Sequence, residues 1–442
     1  MAPGLFCRHP SPKIASRILR VLKQVFSSMT LSLIGRLSQF LGFVYVARCL
    51  EAAMGESSRA LVWAQYLHFL LTLGMDVVAV RYLADGSRQL KEVLPALFTG
   101  RLILFLFSSL ALVLIPWCLD GFSNASGYLW AAGGLNLLAL GMNAQWAFQG
   151  LHRMPAFSLI QAGISIASMI AFYLFLRPGS VAGSDLWCMG LAQCLGAGFS
   201  WAYLMKNYRI QLFTKVWFPS MVAFWKEGLP NWIFGLIYNT LITFGMLTVG
   251  WLTRDQTALS DHESVMGQLY RFTMAIHFVL GYGGSVIYSR IVVWREESKL
   301  FQQKVMRVIG FVLAAGLGAS AAIHWLHQPL YLWLFPAEIY QPGAPFVSWM
   351  VMGRFLALAS GVLSWAMFAH RQDWLAVRCA IFPILIAVVL HLWIVPVHGF
   401  RGAVVLYLLG ELGLFLCSLI GFYFMTRTLM LEKHEEPLTP RA

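Results

Sequence analysis

The stretch from Val25 to Ala47 reads VFSSMTLSLIGRLSQFLGFVYVA. Its 23 residues make roughly 34 Å of helix, enough to cross a hydrocarbon core about 30 Å thick. Eleven further apolar runs of similar length follow. The twelve have approximate limits 25–47, 60–80, 97–117, 127–148, 156–176, 186–205, 230–252, 265–288, 305–326, 345–369, 375–396 and 402–425. In lipid no water satisfies a backbone N–H or C=O, so such runs must be helices. The expected fold is therefore an all-α polytopic membrane protein with about twelve transmembrane helices. Composition agrees: 59% of residues are hydrophobic and 12% charged, against about 25% charged in soluble domains.

The net charge of +13 would suit nucleic acid, but its placement does not. Lys and Arg gather at alternate ends of the apolar runs, the signature of cytoplasmic loops. Only Arg48, Arg59, Arg177, Arg254 and Arg401 fall in the connections on the other side, and Arg36, Arg101, Arg271 and Arg354 lie within spans. The remaining 23 of 32 define the cytoplasmic side, with both termini on it. The chain divides into a basic N-terminal arm (1–24), six spans (25–205), a cytoplasmic linker (206–229), six spans (230–425) and a tail (426–442). Lys13, Arg17, Arg20 and Lys23 recur every three or four residues in the arm, as in a basic helix on a membrane surface or in a basic tail. Equal halves suggest a duplicated six-helix bundle around a central cavity. Trp63, Trp130, Trp187, Trp232 and Trp294, near span ends, read as interface anchors. The seven cysteines include no CxxC and point to neither a disulfide framework nor a metal site.

Motifs of catalysis are absent: no DxD, HExxH, GxSxG or P-loop. No loop is long enough for a catalytic domain, so an enzyme is not expected, nor a cofactor. The chemistry must lie in charges placed at membrane depth, each costing about 2.5–3.5 kcal/mol on insertion scales. Arg36 sits mid-span, too far from either end to snorkel, and faces either an anion in a cavity or a structural ion pair. Arg271 and Arg354 face the cavity or snorkel to the outer surface. Arg101, near an inner end, snorkels or joins them. Asp76 either pairs with Arg81 or Arg101 or carries a coupling ion. Glu411 has no basic residue within a helical turn, so it either couples to a proton or cation or meets an arginine of another helix.

Several stretches carry a family likeness. They are Tyr45-Val-Ala-Arg48 with Leu73 to Ala84 (LGMDVVAVRYLA), Gln145 to Met154 (QWAFQGLHRM), Gly267-Gln-Leu-Tyr270 with Tyr288-Ser-Arg290, and Leu390 to Ala403 (LHLWIVPVHGFRGA) with Gly410-Glu411. Over roughly residues 20–425 the chain resembles the polysaccharide transporter (Wzx-type O-antigen flippase) family of the multidrug/oligosaccharidyl-lipid/polysaccharide exporter superfamily. It departs from that pattern in EAAMGESSRA after the first span and at His391 and Val404. The resemblance implies a flippase for undecaprenyl-pyrophosphate-linked oligosaccharide in a bacterial inner membrane. Its two bundles would form a V-shaped cavity opening alternately to each side. It further implies membrane lipids, a polysaccharide polymerase and a chain-length regulator as partners. On that basis Arg36, Arg271, Arg354 and Arg101 are the expected substrate-binding cations, and Glu411 and Asp76 the expected coupling residues. A multidrug or metabolite antiporter of the same superfamily is the alternative.

Overall fold

The computed structural model describes residues 12–84, 86, 88–120, 124–151, 153–210, 218–252, 261–295, 298–335 and 338–435. The first eleven residues, the side chains of the basic arm, the middle of the linker and the end of the tail lie outside this description. Among the described residues all regular structure is helical. In order the helices are α1 (Pro12–Leu50), α2 (Met54–Thr72), α3 (Met75–Ala84), α4 (Leu90–Asp120), α5 (Asn124–Gly141), α6 (Gln145–Gly150) and α7 (Met154–Phe175). There follow α8 (Ser184–Tyr208), α9 (Phe218–Leu252), α10 (His262–Trp294), α11 (Ser298–Leu334), α12 (Val347–Ala369) and α13 (Asp373–Glu435), with short 3-10 turns at Glu51–Ala53 and Glu338–Phe346.

The helices do not map one to one onto the twelve apolar runs. From Pro12 onward the basic arm is continuous with the first span. The second run breaks at Leu73 and Gly74, whose φ angles of 41° and 68° turn the chain from α2 into α3. The fourth run ends at Gly141, and its last residues form the separate α6. The eleventh and twelfth runs share α13, interrupted at Gly399 (φ 54°, ψ −136°). Among the described residues six helical stretches are long and apolar enough to cross a membrane, seven if the bent stretch Met221–Leu252 is one span.

α1 lies along α7, α5 and α7 flank α8, and α2 packs on α4 and α5. Among later elements α13 packs on both α9 and α12, and α12 on α10 and α11. The two sets meet where α2 touches α9 and α10 and where α1 touches α10. One apolar cluster belongs wholly to α9–α13, around Val305, Leu363 and Leu414. Another spans the seam, joining Val46 and Leu61 to Leu269 and Tyr407.

Of the tryptophans expected at the interfaces, Trp130 is buried and Trp63, Trp187, Trp232 and Trp294 are half-buried within the helix packing. Among the described residues the exposed indoles are Trp251, Trp325, Trp333, Trp349, Trp374 and Trp393. A Trp at a span end can face lipid or a neighbouring helix, and spacing alone does not distinguish them.

Two glycines set the breaks. A Cβ on Gly74 would lie 2.2 Å from the Gly228 carbonyl oxygen of α9, and one on Gly399 would lie 1.8 Å from Nδ1 of His262. Both also need positive φ, which strains an L side chain. Gly74→Ala and Gly399→Ala should each lower the melting temperature in detergent well beyond Gly163→Ala, where nothing lies within 4 Å. Equal melting of the three variants would contradict this account.

Candidate functional site

Arg271 lies on α10 about two turns from its start and is buried. Its Nε donates to Ser58 Oγ at 2.8 Å and its Nη2 to Ser57 Oγ at 2.9 Å. Its Nη1 pairs with the Asp185 carboxylate in the first turn of α8. Ser57 in turn donates to Asp185 Oδ1 at 2.5 Å. All four side chains are buried, so α2, α8 and α10 are joined by a fully hydrogen-bonded charge pair. Charge-assisted hydrogen bonds in a dry site are the stronger class.

That network is the centre of a closure between the helix sets. Gly267 of α10 comes so near α2 that an added Cβ would lie 3.1 Å from Gly55 Cα. Ser264 Oγ donates to the Ala52 carbonyl at 2.7 Å. Tyr340 Oη donates to the carbonyls of Ala47 (3.1 Å) and Glu51 (2.9 Å). Arg48 caps the end of α11 through the carbonyls of Trp333 and Leu334.

The opposite end is closed as well. Arg81 of α3 meets Glu227 of α9 (3.5 Å) and Asp373 at the start of α13 (3.3 Å), and Tyr82 donates to Glu227. These groups are partly exposed, where an ion pair contributes about 0–1 kcal/mol. Gly74 and Gly228 bring the two backbones into contact beside them.

Arg101 on α4 is buried and pairs with Asp76 of α3, and its Nη1 also donates to the carbonyls of Gly141 (2.8 Å) and Asn143 (2.9 Å). Its guanidinium thus holds the ends of α3 and α5 together. The adjacent Trp146-Ala-Phe-Gln-Gly150 segment is α6, which packs on α3. Gly150 there abuts Leu83, and Trp146 lies under the Arg101 guanidinium at 5.9 Å. Arg101 and Asp76 therefore serve each other in this structure.

Arg354 on α12 is different. It is buried, with Nη2 3.5 Å from Met274 Sδ and its guanidinium 5.7 Å from the Tyr407 ring. Its Nε and Nη1 have no hydrogen-bond partner among the described residues. Glu411 on α13 is wholly buried, and neither carboxylate oxygen has a hydrogen-bond partner among the described residues. No hydrogen bond joins Arg354 to Glu411 among the described residues. The interior of α9, α12 and α13 thus holds an open cation and an open carboxylate.

Arg36 of α1 is half-buried and donates to Gln39 Oε1 at 3.2 Å. The six residues singled out in the sequence thus fall into four places: Arg101 with Asp76, Arg354 in the same helix set as Glu411, and Arg271 and Arg36 each apart. Sequence reasoning missed Asp185, Ser57 and Ser58. The signal was present as an acidic residue at the first turn of an apolar run, where a helix N-terminus favours it.

The family model for polysaccharide biosynthesis proteins matches residues 21–291. No curated protein matches the sequence. Solved structures share the fold. An inward-facing multidrug resistance MATE family transporter of the MOP superfamily is 14% identical, over 93% of this chain and 99% of that one, with a TM-score of 0.66. Lipid II flippase MurJ in an inward closed conformation is 12% identical over 91% and 90%, with a TM-score of 0.66. The Vibrio cholerae MATE transporter VcmN in its bent form is 13% identical over 92% and 97%, with a TM-score of 0.58.

Removing one member of a buried charge pair strands the other, at about 3–5 kcal/mol. Asp185→Asn should therefore lower the melting temperature sharply. Adding Arg271→Gln to it should restore a large part of the loss. If the double variant melts no higher than Asp185→Asn alone, the pair is not the source of that stability.

Proposed function

The chain belongs to the polysaccharide biosynthesis protein family, and from that premise we propose that it is a flippase for a lipid-linked oligosaccharide on an undecaprenyl-pyrophosphate carrier. The substrate moves from the inner to the outer leaflet of a bacterial inner membrane, with both chain termini cytoplasmic. Residues 25–205 and 230–425 act as two six-helix bundles that rock about the seam between α1 and α2 on one side and α9 and α10 on the other. On this reading the two long stretches Leu33–Thr72 and Asp373–Thr428 each contain two crossings, α4, α7, α9, α11 and α12 one each, and the less apolar α5, α8 and α10 the remaining three.

The observation that carries the reading is Arg354. A pyrophosphate needs a cation that is not already consumed by a protein acid, and this guanidinium keeps two nitrogens open in the interior. Arginine offers a fixed charge and a planar fork matched to phosphate oxygens. Arg36 on α1, which donates to Gln39 Oε1, is a second substrate-binding cation on this reading. Arg271 joins them once the Asp185 end opens, and Arg101 remains structural.

Ion coupling falls to Glu411, since Asp76 is held by Arg101. A carboxylate with both oxygens unpartnered can accept a proton or a monovalent cation, and neutralising it changes the field on Arg354. Protonation or cation binding at Glu411 would thereby alter the grip on an anion nearby.

The multidrug or metabolite antiporter reading keeps one point in its favour: the MATE transporter and the lipid II flippase match the fold equally well. A site for cationic drugs, however, is poorly served by an open arginine.

Proteoliposomes carrying a fluorescent undecaprenyl-pyrophosphate-linked oligosaccharide provide the test. Wild-type protein should accelerate transfer between leaflets. Arg354→Ala should slow it about tenfold, the worth of one charge-assisted hydrogen bond. Glu411→Gln should transfer without responding to an imposed proton or sodium gradient. No acceleration by wild type, alongside drug efflux in a sensitised host, would replace this reading with the antiporter.

A further inference from the structure

His262 is the first residue of α10. The residue after it, Glu263, meets Arg59 of α2 at 3.4 Å, and the next, Ser264, donates to the Ala52 carbonyl at 2.7 Å. The backbones are packed as closely as the side chains. A Cβ added to Gly55 of α2 would lie 2.9 Å from the Glu263 carbonyl carbon and 3.0 Å from the Ser264 nitrogen. The first turn of α10 is thus clamped to α2 at the Asp185 end, and whatever shifts that turn shifts the closure.

The same turn also rests on the break in α13. The His262 ring occupies the notch that Gly399 leaves, with Nδ1 1.8 Å from the place of an added Cβ. The ring meets Phe400 edge to face, with centroids 5.0 Å apart and planes at 84°. Phe400 is buried and meets Phe346 in the same manner at 5.5 Å. His262 Nδ1 is buried and has no hydrogen-bond partner among the described residues.

A neutral imidazole suits this seat, because an unpaired acceptor on a neutral ring costs less than an unpaired donor on a charged one. An imidazolium does not. Its Nδ1–H would be a buried, charged donor without an acceptor. The Arg401 guanidinium of α13 would repel it, and the N-terminal end of a helix disfavours a cation. Burial first, and Arg401 second, hold the ring below its ordinary pKa, with Asp261 acting the other way. The other charged or titratable groups around it are His398 on α13, Glu263 on α10, Arg59 of α2, which Glu263 pairs, and Glu338 at the start of the turn that ends in Phe346. The seated ring takes a proton less readily than a released one. The seat is therefore fully favoured above about pH 6.5 and weakens as pH falls below it.

We propose that His262 is a pH-operated latch on the closure at the Asp185 end. Neutral, it sits in the Gly399 notch and holds Glu263 and Ser264 against α2. Protonated, it leaves the notch, and the start of α10 parts from α2. The inference goes beyond the flippase reading and does not depend on it, since it concerns what opens the closure and not what passes through.

The test places nitroxide labels on two exposed residues across the closure, Glu56 of α2 and Gln341 of the turn Glu338–Phe346. Unnatural ketone side chains carry the labels, so the native cysteines stay in place. The full-length protein in nanodiscs is measured by double electron–electron resonance at about pH 7.5 and about pH 5.5, on either side of the ordinary imidazole value. Wild type should show one short distance at the higher pH and gain a longer one at the lower, with the separated fraction rising severalfold. His262→Gln, and His262→Phe, which keeps an uncharged ring in the seat, should hold the short distance at both. Arg401→Gln should shrink the acid response, and His398→Gln should leave it as in wild type. One uncharged variant at position 262 that stays closed in acid while wild type opens sustains the latch. It is overturned if wild type does not separate in acid, if neither uncharged variant stays closed there, or if His398→Gln alone abolishes the response. A protein that opens in acid through His262 yet moves no lipid-linked oligosaccharide keeps the latch and loses the flippase reading.

Discussion

A guanidinium has no solvent in hydrocarbon, and this protein resolves that constraint in different ways at different arginines. Arg271 is saturated: a carboxylate and two hydroxyls receive it, each from a helix other than its own. Arg101 is held by Asp76 and two backbone carbonyls left over where α5 ends, although its Nε is unpartnered among the described residues. Arg354 rests on a thioether and an aromatic face and touches no carboxylate among the described residues. A guanidinium tied to a carboxylate is a structural joint, and Arg354 lacks that tie.

The joints also differ in what they permit. At the Asp185 end the pairing is buried, and backbones approach at Gly55 and Gly267. At the Arg81 end the ion pairs are partly solvated and individually weak. Both connect the earlier helices to the later ones. Parting weak exposed pairs costs little, whereas parting a buried pair strands the arginine unless another anion, or water, takes it over. On the transport mechanism proposed above, the Asp185 end would be the slower to open.

What could be read from the chain follows from these two kinds of constraint. Runs of apolar residues announce helices because lipid leaves the backbone no other choice, so the helical class was plain. Charge asymmetry across the runs divided the loops without any knowledge of packing. The Arg101–Asp76 contact was one of two pairings open to Asp76, since both arginines lie near the same end of their helices. The breaks were harder. Leu73 adopts a left-handed conformation that nothing in its side chain favours, and only contact between Gly74 and Gly228 accounts for it. Asp185 was hidden for a similar reason: a carboxylate at the edge of an apolar run looks solvated until another helix brings it an arginine. Tertiary partners, invisible to periodicity, decide such positions.

The tryptophan-glutamine motif around Trp146 makes the same distinction from the other direction. As sequence it is the most family-like segment, which invites a role in substrate contact. In the fold it is a short helix packed on α3, with Trp146 beneath the Arg101 guanidinium and Gly150 against Leu83. Its residues are mostly buried, so it has little surface to offer a ligand. Its position beside α3 places it near Arg81, which pairs with Glu227 of α9 and Asp373 of α13. A segment that stands out in the sequence can therefore act through packing, and the open nitrogens of the proposed substrate-binding arginine, Arg354, lie on a helix that no such segment marks.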